Sequence, residues 1–142
     1  MRRTQVSLVV IAISLLIIGI VSGTILRHAV QIVPVIAAAV LVYRRSTLAA
    51  PVAVGVSAFW LAIMVLIWLY LMGVSRIASG TYSATEIGLT MVIGLATLYG
   101  SAAAIGQRQR LSRGRWLGLA AIAFATQYGV LVISFTRGIA RD

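Results

Sequence analysis

Long apolar runs separated by short basic segments dominate the hydrophobic pattern of this chain. The longest uncharged run spans the thirty residues between Arg45 and Arg76, and its most apolar part is residues 51–72. A helix needs about 20 apolar residues to cross the hydrocarbon of a bilayer. A surface helix of a water-soluble protein keeps a polar face, and this run has none. The pattern therefore predicts a transmembrane helix at the centre of the chain.

The same pattern predicts four further membrane helices, so we expect an all-α polytopic membrane protein with one transmembrane domain. Gly23 and Thr24 separate the first two helices, which predicts a tight helical hairpin because glycine accepts the left-handed conformation that ends helices. The expected helices cover residues 4–22, 25–43, 50–73, 83–106 and 116–136.

Pro34 lies inside the second predicted helix. Proline has no N–H, so the carbonyl of Val30 loses its helical partner and the helix is expected to kink. The segment is only just long enough to cross a bilayer, which leaves a re-entrant helix as the alternative.

The composition supports a membrane protein and indicates which kinds of partner to expect. The chain has 142 residues, of which 61% are hydrophobic and 10% charged, whereas about 25% are charged in a typical soluble domain. Twelve arginines and two acids give a net charge of +10. On a soluble domain this charge would suggest nucleic acid. Here the arginines flank apolar runs, so we expect a lipid bilayer as the surroundings and no nucleic-acid partner.

The distribution of the arginines predicts an orientation. With five spans and the N-terminus inside, eight arginines face the cytoplasm and four face the other side. The positive-inside rule therefore predicts an N-in, C-out protein of a prokaryotic cytoplasmic membrane. If residues 25–43 did not cross, the three clustered arginine groups would no longer share one side.

One face of the fourth predicted helix is polar or small along its whole length. Its members recur at spacings of three or four, which places them on one side of the helix. The face could line a pathway for a proton or a small polar solute, or it could form a close contact between helices, where Gly, Ser and Thr are common. Its members are Ser83, Glu86, Thr90, Gly94, Thr97, Ser101 and Ala104.

A second polar cluster is expected at the outer ends of the second and fourth helices. Arg27, His28 and Gln31 lie in the first turns of one, and Glu86 opens the other. Ionisable groups within membrane helices are functional candidates, and a histidine can titrate near physiological pH. The alternative is interfacial anchoring, with Glu86 paired to Arg27 or Arg76.

Gln127 lies in the middle of the fifth predicted helix. A glutamine in hydrocarbon needs a hydrogen-bond partner, which we expect on the fourth helix at Thr90, Gly94 or Thr97, or on another protein subunit. The complete candidate set for a ligand site or proton pathway is Glu86, His28, Gln31, Arg27, Thr90 and Gln127.

The residue inventory argues against an enzyme. The chain has no cysteine and one histidine, which excludes disulfides, thiolate chemistry and a haem held by two histidines of this chain. Its two acids, Glu86 and Asp142, do not form a carboxylate pair for acid–base catalysis. We expect no metal site and no cofactor.

Small size, short loops and small-residue helix faces favour one role. The chain is expected to be a non-catalytic subunit or accessory component of a larger inner-membrane complex. One alternative is a homo-oligomeric channel or transporter lined by the polar face of the fourth helix. Another is a lipid- or quinone-binding protein, with an apolar cleft framed by Trp60, Trp68, Tyr70 and Pro34.

Overall fold

The computed structural model describes residues 2–77, 80–106, 111–136 and 139, and this part of the chain contains α-helices and no strand. Together α2 and α3 form one apolar segment, so the described residues contain five helical segments long and apolar enough to cross a membrane. The helices are α1 (Arg2–Val21), α2 (Ile25–Gln31), α3 (Val33–Tyr43), α4 (Ala49–Leu71), α5 (Ala84–Ile105) and α6 (Arg113–Ser134).

The first and last residues of the five apolar helical segments lie within three residues of the positions expected from the sequence. The largest difference is at α6, which begins at Arg113 rather than at residue 116, after an extended Ser112 (φ −62°, ψ 151°). The basic residues at 108 and 110 and the C-terminal arginines, which entered the orientation count, lie outside the described residues.

The kink expected from Pro34 is present as a break between α2 and α3 at Ile32. Pro34 lies in the first turn of α3, where a missing N–H removes no helical hydrogen bond. Hydrogen bonds from Ile32 N to His28 O (3.0 Å) and from Ile36 N to Ile32 O (2.9 Å) continue on both sides. Ile32 itself keeps a right-handed helical conformation (φ −79°, ψ −13°), so the helix is interrupted at one residue without forming a loop.

A short turn at residues 22–24 joins α1 to α2, as the hairpin prediction required. Gly23 adopts φ +67°, and Thr24 N donates to Gly19 O (2.8 Å). A Cβ added to Gly19 would lie 2.9 Å from the Cβ of His28. The absence of a side chain at Gly19 therefore lets α2 approach α1 closely and seats His28 against it.

Five helices form a closed ring of contacts. Around this ring α1 contacts α5, α5 contacts α4, α4 contacts α6, α6 contacts α2, and α2 contacts α1. The remaining helix, α3, packs mainly against α1 and α4. The two halves of the segment therefore share α1 as a neighbour, and they differ in the second neighbour, which is α6 for α2 and α4 for α3.

Buried apolar side chains from α1, α3 and α4 form the main core. These residues are almost completely inaccessible, and they belong to one contiguous cluster: Leu8, Ile11, Leu15, Val35, Ala38, Val42, Ala53 and Val56. On the other side of α4, a Cβ at Gly55 would overlap the carbonyl oxygen of Ala120, so α4 and α6 approach backbone to backbone. These contacts fix the ring from which the candidate site is built.

Candidate functional site

A cavity of about 390 Å³ lies at one end of the helix ring. Its wall includes residues of α1, α2, α4, α5 and α6, together with the turn before α2, the loop at 80–82 and Phe135. Leu15, Trp60 and Met64 belong both to this wall and to the buried core shared with α3. The deep side of the cavity therefore ends on the core. We term this cavity the cup and its end of the bundle the Glu86 end.

Five of the six residues predicted as a site on sequence grounds lie on the α2 and α5 sides of the cup wall, and the sixth is joined to them by a hydrogen bond. Arg27, His28 and Gln31 come from α2, and Glu86 comes from the first turn of α5. Thr90 lies one turn further along α5 and also lines the cup. The sixth residue, Gln127, binds to α2 behind this wall.

The His28 ring is held by the turn that precedes α2. Its Nδ1 lies 3.1 Å from the carbonyl oxygen of Thr24 and 3.1 Å from the hydroxyl of the same residue. A carbonyl oxygen only accepts hydrogen bonds, so Nδ1 carries the proton that is donated to it. In the neutral ring Nε2 is then a hydrogen-bond acceptor, and His28 is one of the residues that line the cup.

Arg27 connects α2 to the end of α6. Its guanidinium carbon lies 5.0 Å from the centroid of the Phe135 ring. A guanidinium at this distance from an aromatic face is attracted by the ring quadrupole. The contact therefore helps to close the ring of helices between α2 and α6 at the Glu86 end.

A buried hydrogen-bond network continues this connection deeper in the bundle. Gln31 Nε2 donates to the hydroxyl of Ser134 (2.8 Å), which in turn donates to the carbonyl of Leu131 (2.6 Å). Gln127 Nε2 donates to the main-chain carbonyl of Gln31 (2.9 Å). Three polar side chains, each at most 4% exposed, thus join α2 to α6.

The expectation that Gln127 binds to the fourth predicted helix is wrong, because its Nε2 donates to α2. Gln31 is the last residue of α2, and the last carbonyls of a helix lack intrahelical partners. The break at Ile32 therefore provides an acceptor for Gln127. Among the described residues, the side-chain oxygen of Gln127 is buried without a hydrogen-bond partner.

Glu86 closes the N-terminus of α5. Its Oε2 accepts hydrogen bonds from Ser83 N and from the Ser83 hydroxyl (both 2.7 Å), and its own N–H donates to Ser83 Oγ (3.3 Å). This arrangement is a capping box, in which a Ser or Thr and a Glu or Gln three residues later bind each other's main chain. The sequence Ser83-x-x-Glu86 is typical of a capping box. On sequence grounds alone, Glu86 was considered only as an acid near the start of a helix.

The polar face of α5 divides along its length. Glu86 and Thr90 line the cup, and Thr90 also accepts a hydrogen bond from Trp68 Nε1 (3.1 Å). One turn further, a Cβ on Gly94 would overlap the Trp68 ring, and Thr97 is fully buried. From Gly94 onward, therefore, the face packs against neighbouring helices, as the second interpretation of this face predicted.

The far part of the same face confirms this packing. A Cβ added to Gly100 would lie 2.7 Å from the Cβ of Ser7 in α1. The hydroxyl of Thr97 donates to the carbonyl of Gly94 in its own helix (2.7 Å), and Ala104 is fully buried. Small side chains let α1 and α4 approach α5 closely here.

The loop before α5 contributes wall residues that sequence reasoning missed. Tyr70 OH donates to the carbonyl of Gly80 (2.9 Å) and ties this loop to α4. The Tyr70 and Tyr82 rings lie 6.1 Å apart, and burial raises the pKa of the Tyr82 phenol, which stays protonated at neutral pH. Hydrophobic periodicity does not describe the path of a loop, so only the aromatic character of Tyr82 could have indicated this role.

Neither metal chemistry nor similarity assigns a function to the cup. Within the described ranges, no group of three His, Cys, Asp or Glu side chains could hold a metal ion. No protein-family model, curated protein or solved structure matches the chain. Function is therefore inferred from the geometry and chemistry of the chain itself.

Replacing Gln127 tests whether the buried network stabilises the fold. Gln127→Leu removes the hydrogen bond and leaves the Gln31 carbonyl without this donor, so it is expected to lower the free energy of unfolding by about 0.6–1.7 kcal/mol, the range for such bonds in membrane proteins. The measurement is reversible unfolding in detergent. The matched control is Tyr128→Leu at the neighbouring exposed position, and equal stability of the two variants would contradict the structural role.

Proposed function

We propose that this chain spans a prokaryotic cytoplasmic membrane five times, with its N-terminus inside and its C-terminus outside. The five apolar helical segments support this, as does the eight-to-four arginine distribution that follows from five crossings. In this orientation the Glu86 end, with the cup, faces the outer side.

Cysteine labelling tests the orientation directly, because the chain has no cysteine of its own. Thr47 and Ile77 are exposed residues in loops at opposite ends of α4. In intact cells a membrane-impermeant maleimide is expected to label Ile77→Cys fully and Thr47→Cys only after permeabilisation. The reverse pattern would establish the opposite orientation, and labelling of both sites in intact cells would contradict a membrane span between them.

We further propose that the protein is a non-catalytic subunit or accessory component of a larger membrane complex. The observation that carries this proposal is the outward surface of α6. Only 17% of the residues in its apolar window are buried, against 33–39% in the other four segments. Much of α6 is therefore left for contact with lipid or with another protein.

The exposed surface of α6 carries small residues in a regular row. Their spacings are four, three, four and four, so they share one side of the helix. The first four are exposed and the fifth is half-buried. Added Cβ atoms on its three glycines would meet nothing within 4 Å. Small residues allow membrane helices to approach closely, so this row suits a helix of another chain. It consists of Gly114, Gly118, Ala121, Ala125 and Gly129.

The channel alternative has less support. A pore between copies would need the polar face of α5 on the outside of each copy. From Gly94 to Ala104 that face contains residues buried against α1 and α4, which leaves only Glu86 and Thr90 beside a cavity. The subunit role requires no such rearrangement.

Ala125→Leu tests the proposed contact. The added side chain fills the small-residue row, so we expect about tenfold less co-purified partner, as a loss of roughly 1.4 kcal/mol in association free energy would produce. The control is Ala37→Leu, the same change at an exposed position in α3. The measurement is extraction in mild detergent, native gel separation and quantitative mass spectrometry of the band that holds this chain.

The composition of the wild-type band decides between the two roles. Fixed amounts of other proteins, lost in Ala125→Leu and kept in Ala37→Leu, would support the subunit role. A band that contains only this chain, at a small multiple of 15.1 kDa, would contradict that role and would favour the homo-oligomeric channel or transporter instead.

A further inference from the structure

We propose that the cup is a binding site for a small organic cation, a molecule with an apolar body and one ammonium group. The body would lie among the apolar residues of the cup, and the ammonium would lie at the Glu86 end. This inference is independent of the subunit role, because it concerns the interior of the helix ring rather than the outer surface of α6.

The size and closure of the cup suit a small molecule. Its volume of about 390 Å³ falls in the range of roughly 300–1,000 Å³ that is common for ligand pockets. Residues of α1, α2, α4, α5 and α6 line it, and three of its wall residues, Leu15, Trp60 and Met64, belong to the core. The core therefore bounds its deep side, and a ligand would enter it at the Glu86 end.

The wall of the cup provides an apolar surface for the body of the ligand. Aliphatic side chains from three helices, α1, α4 and α6, line the cavity, and Trp60, Tyr82 and Phe135 add aromatic rings. Aromatic rings attract organic cations through their negative faces. The aliphatic residues are Leu15, Ile18, Ile63, Met64, Ile67 and Leu131.

Two side chains at the Glu86 end, Glu86 and His28, offer hydrogen-bond acceptors to a ligand. Glu86 is the only acid that the structure describes, and both hydrogen bonds from Ser83 go to its Oε2, so Oε1 retains its capacity to accept. His28 donates through Nδ1 to Thr24, which makes Nε2 an acceptor in the neutral ring. An ammonium group, which only donates, matches a carboxylate and an imidazole nitrogen.

Arg27 is the one cation among the described residues of the cup wall, and it would favour an anion instead. Its guanidinium already contacts the Phe135 ring, so an anionic ligand would have to compete with this contact. Two acceptors and three aromatic rings therefore outweigh one engaged cation, and the ammonium is the better fit.

Three probes with the same body test the assignment: phenethylammonium, 3-phenylpropionate and 2-phenylethanol. They differ only in the polar end, which is a cationic hydrogen-bond donor, an anionic acceptor and a neutral hydroxyl, respectively. The full chain in lipid nanodiscs is titrated with each probe, and binding is followed by tryptophan fluorescence, since Trp60 lines the cup. We expect saturable binding of phenethylammonium, with an affinity about tenfold above that of the neutral alcohol, the factor for one charge-assisted hydrogen bond.

Two variants connect binding to the cup. Glu86→Gln removes the charge while glutamine can still form the capping box, so the fold is kept and the affinity for phenethylammonium is expected to fall about tenfold. Met64→Trp fills the cup and should abolish binding of all three probes. Its control is Leu95→Trp, which adds the same side chain at an exposed position of α5.

Three results would overturn the proposal. The first is tighter binding of 3-phenylpropionate than of phenethylammonium, which would assign the cup to anions. The second is an affinity for phenethylammonium that is unchanged in Glu86→Gln. The third is the absence of saturable binding for every probe, which would leave the cup as a packing defect at the end of the ring.

Discussion

The break that Pro34 imposes on the second apolar segment is the constraint on which the rest of the structure depends. Before the break at Ile32, α2 completes a ring of contacts with α1, α4, α5 and α6, and beyond it α3 packs against α1 and α4. The first half contributes to the cup wall, and the second half contributes to the core that closes it. The carbonyl of Gln31 next to the break accepts a hydrogen bond from Gln127, which joins α2 to α6.

Polar groups in this bundle serve two purposes, which separate by position. Within the core they bind the backbone: Gln127 donates to the carbonyl of Gln31, and Thr97 donates to the carbonyl of Gly94. An unpaired polar group in an apolar medium is costly, so these bonds help to define the packing. At the Glu86 end, His28 and Glu86 are held by local hydrogen bonds and still line an open cavity. That combination of fixed geometry and access is what a binding site needs.

The hydrophobic pattern and the chemistry of proline predict the helices, but they predict only part of the site. The five segments follow from uncharged apolar runs, and the break follows from the missing N–H of Pro34. The partner of Gln127 could not be predicted, because periodicity gives the face that a residue occupies but not the helix that packs there. For the same reason the two interpretations of the α5 face stayed open until Thr90 was found at the cup and Gly94 against Trp68.

The most direct test of this account compares the reactivity of two cysteines on the same face of α4. Ile63 lines the cup and is half-buried, and Val56, two turns away, is fully buried in the core. In membranes, an ammonium-bearing methanethiosulfonate added at the Glu86 end should modify Ile63→Cys and leave Val56→Cys unmodified. Modification of both would mean that a pathway continues through the bundle, and modification of neither would mean that the cup is closed to water. Either result would contradict a blind cup above a packed core.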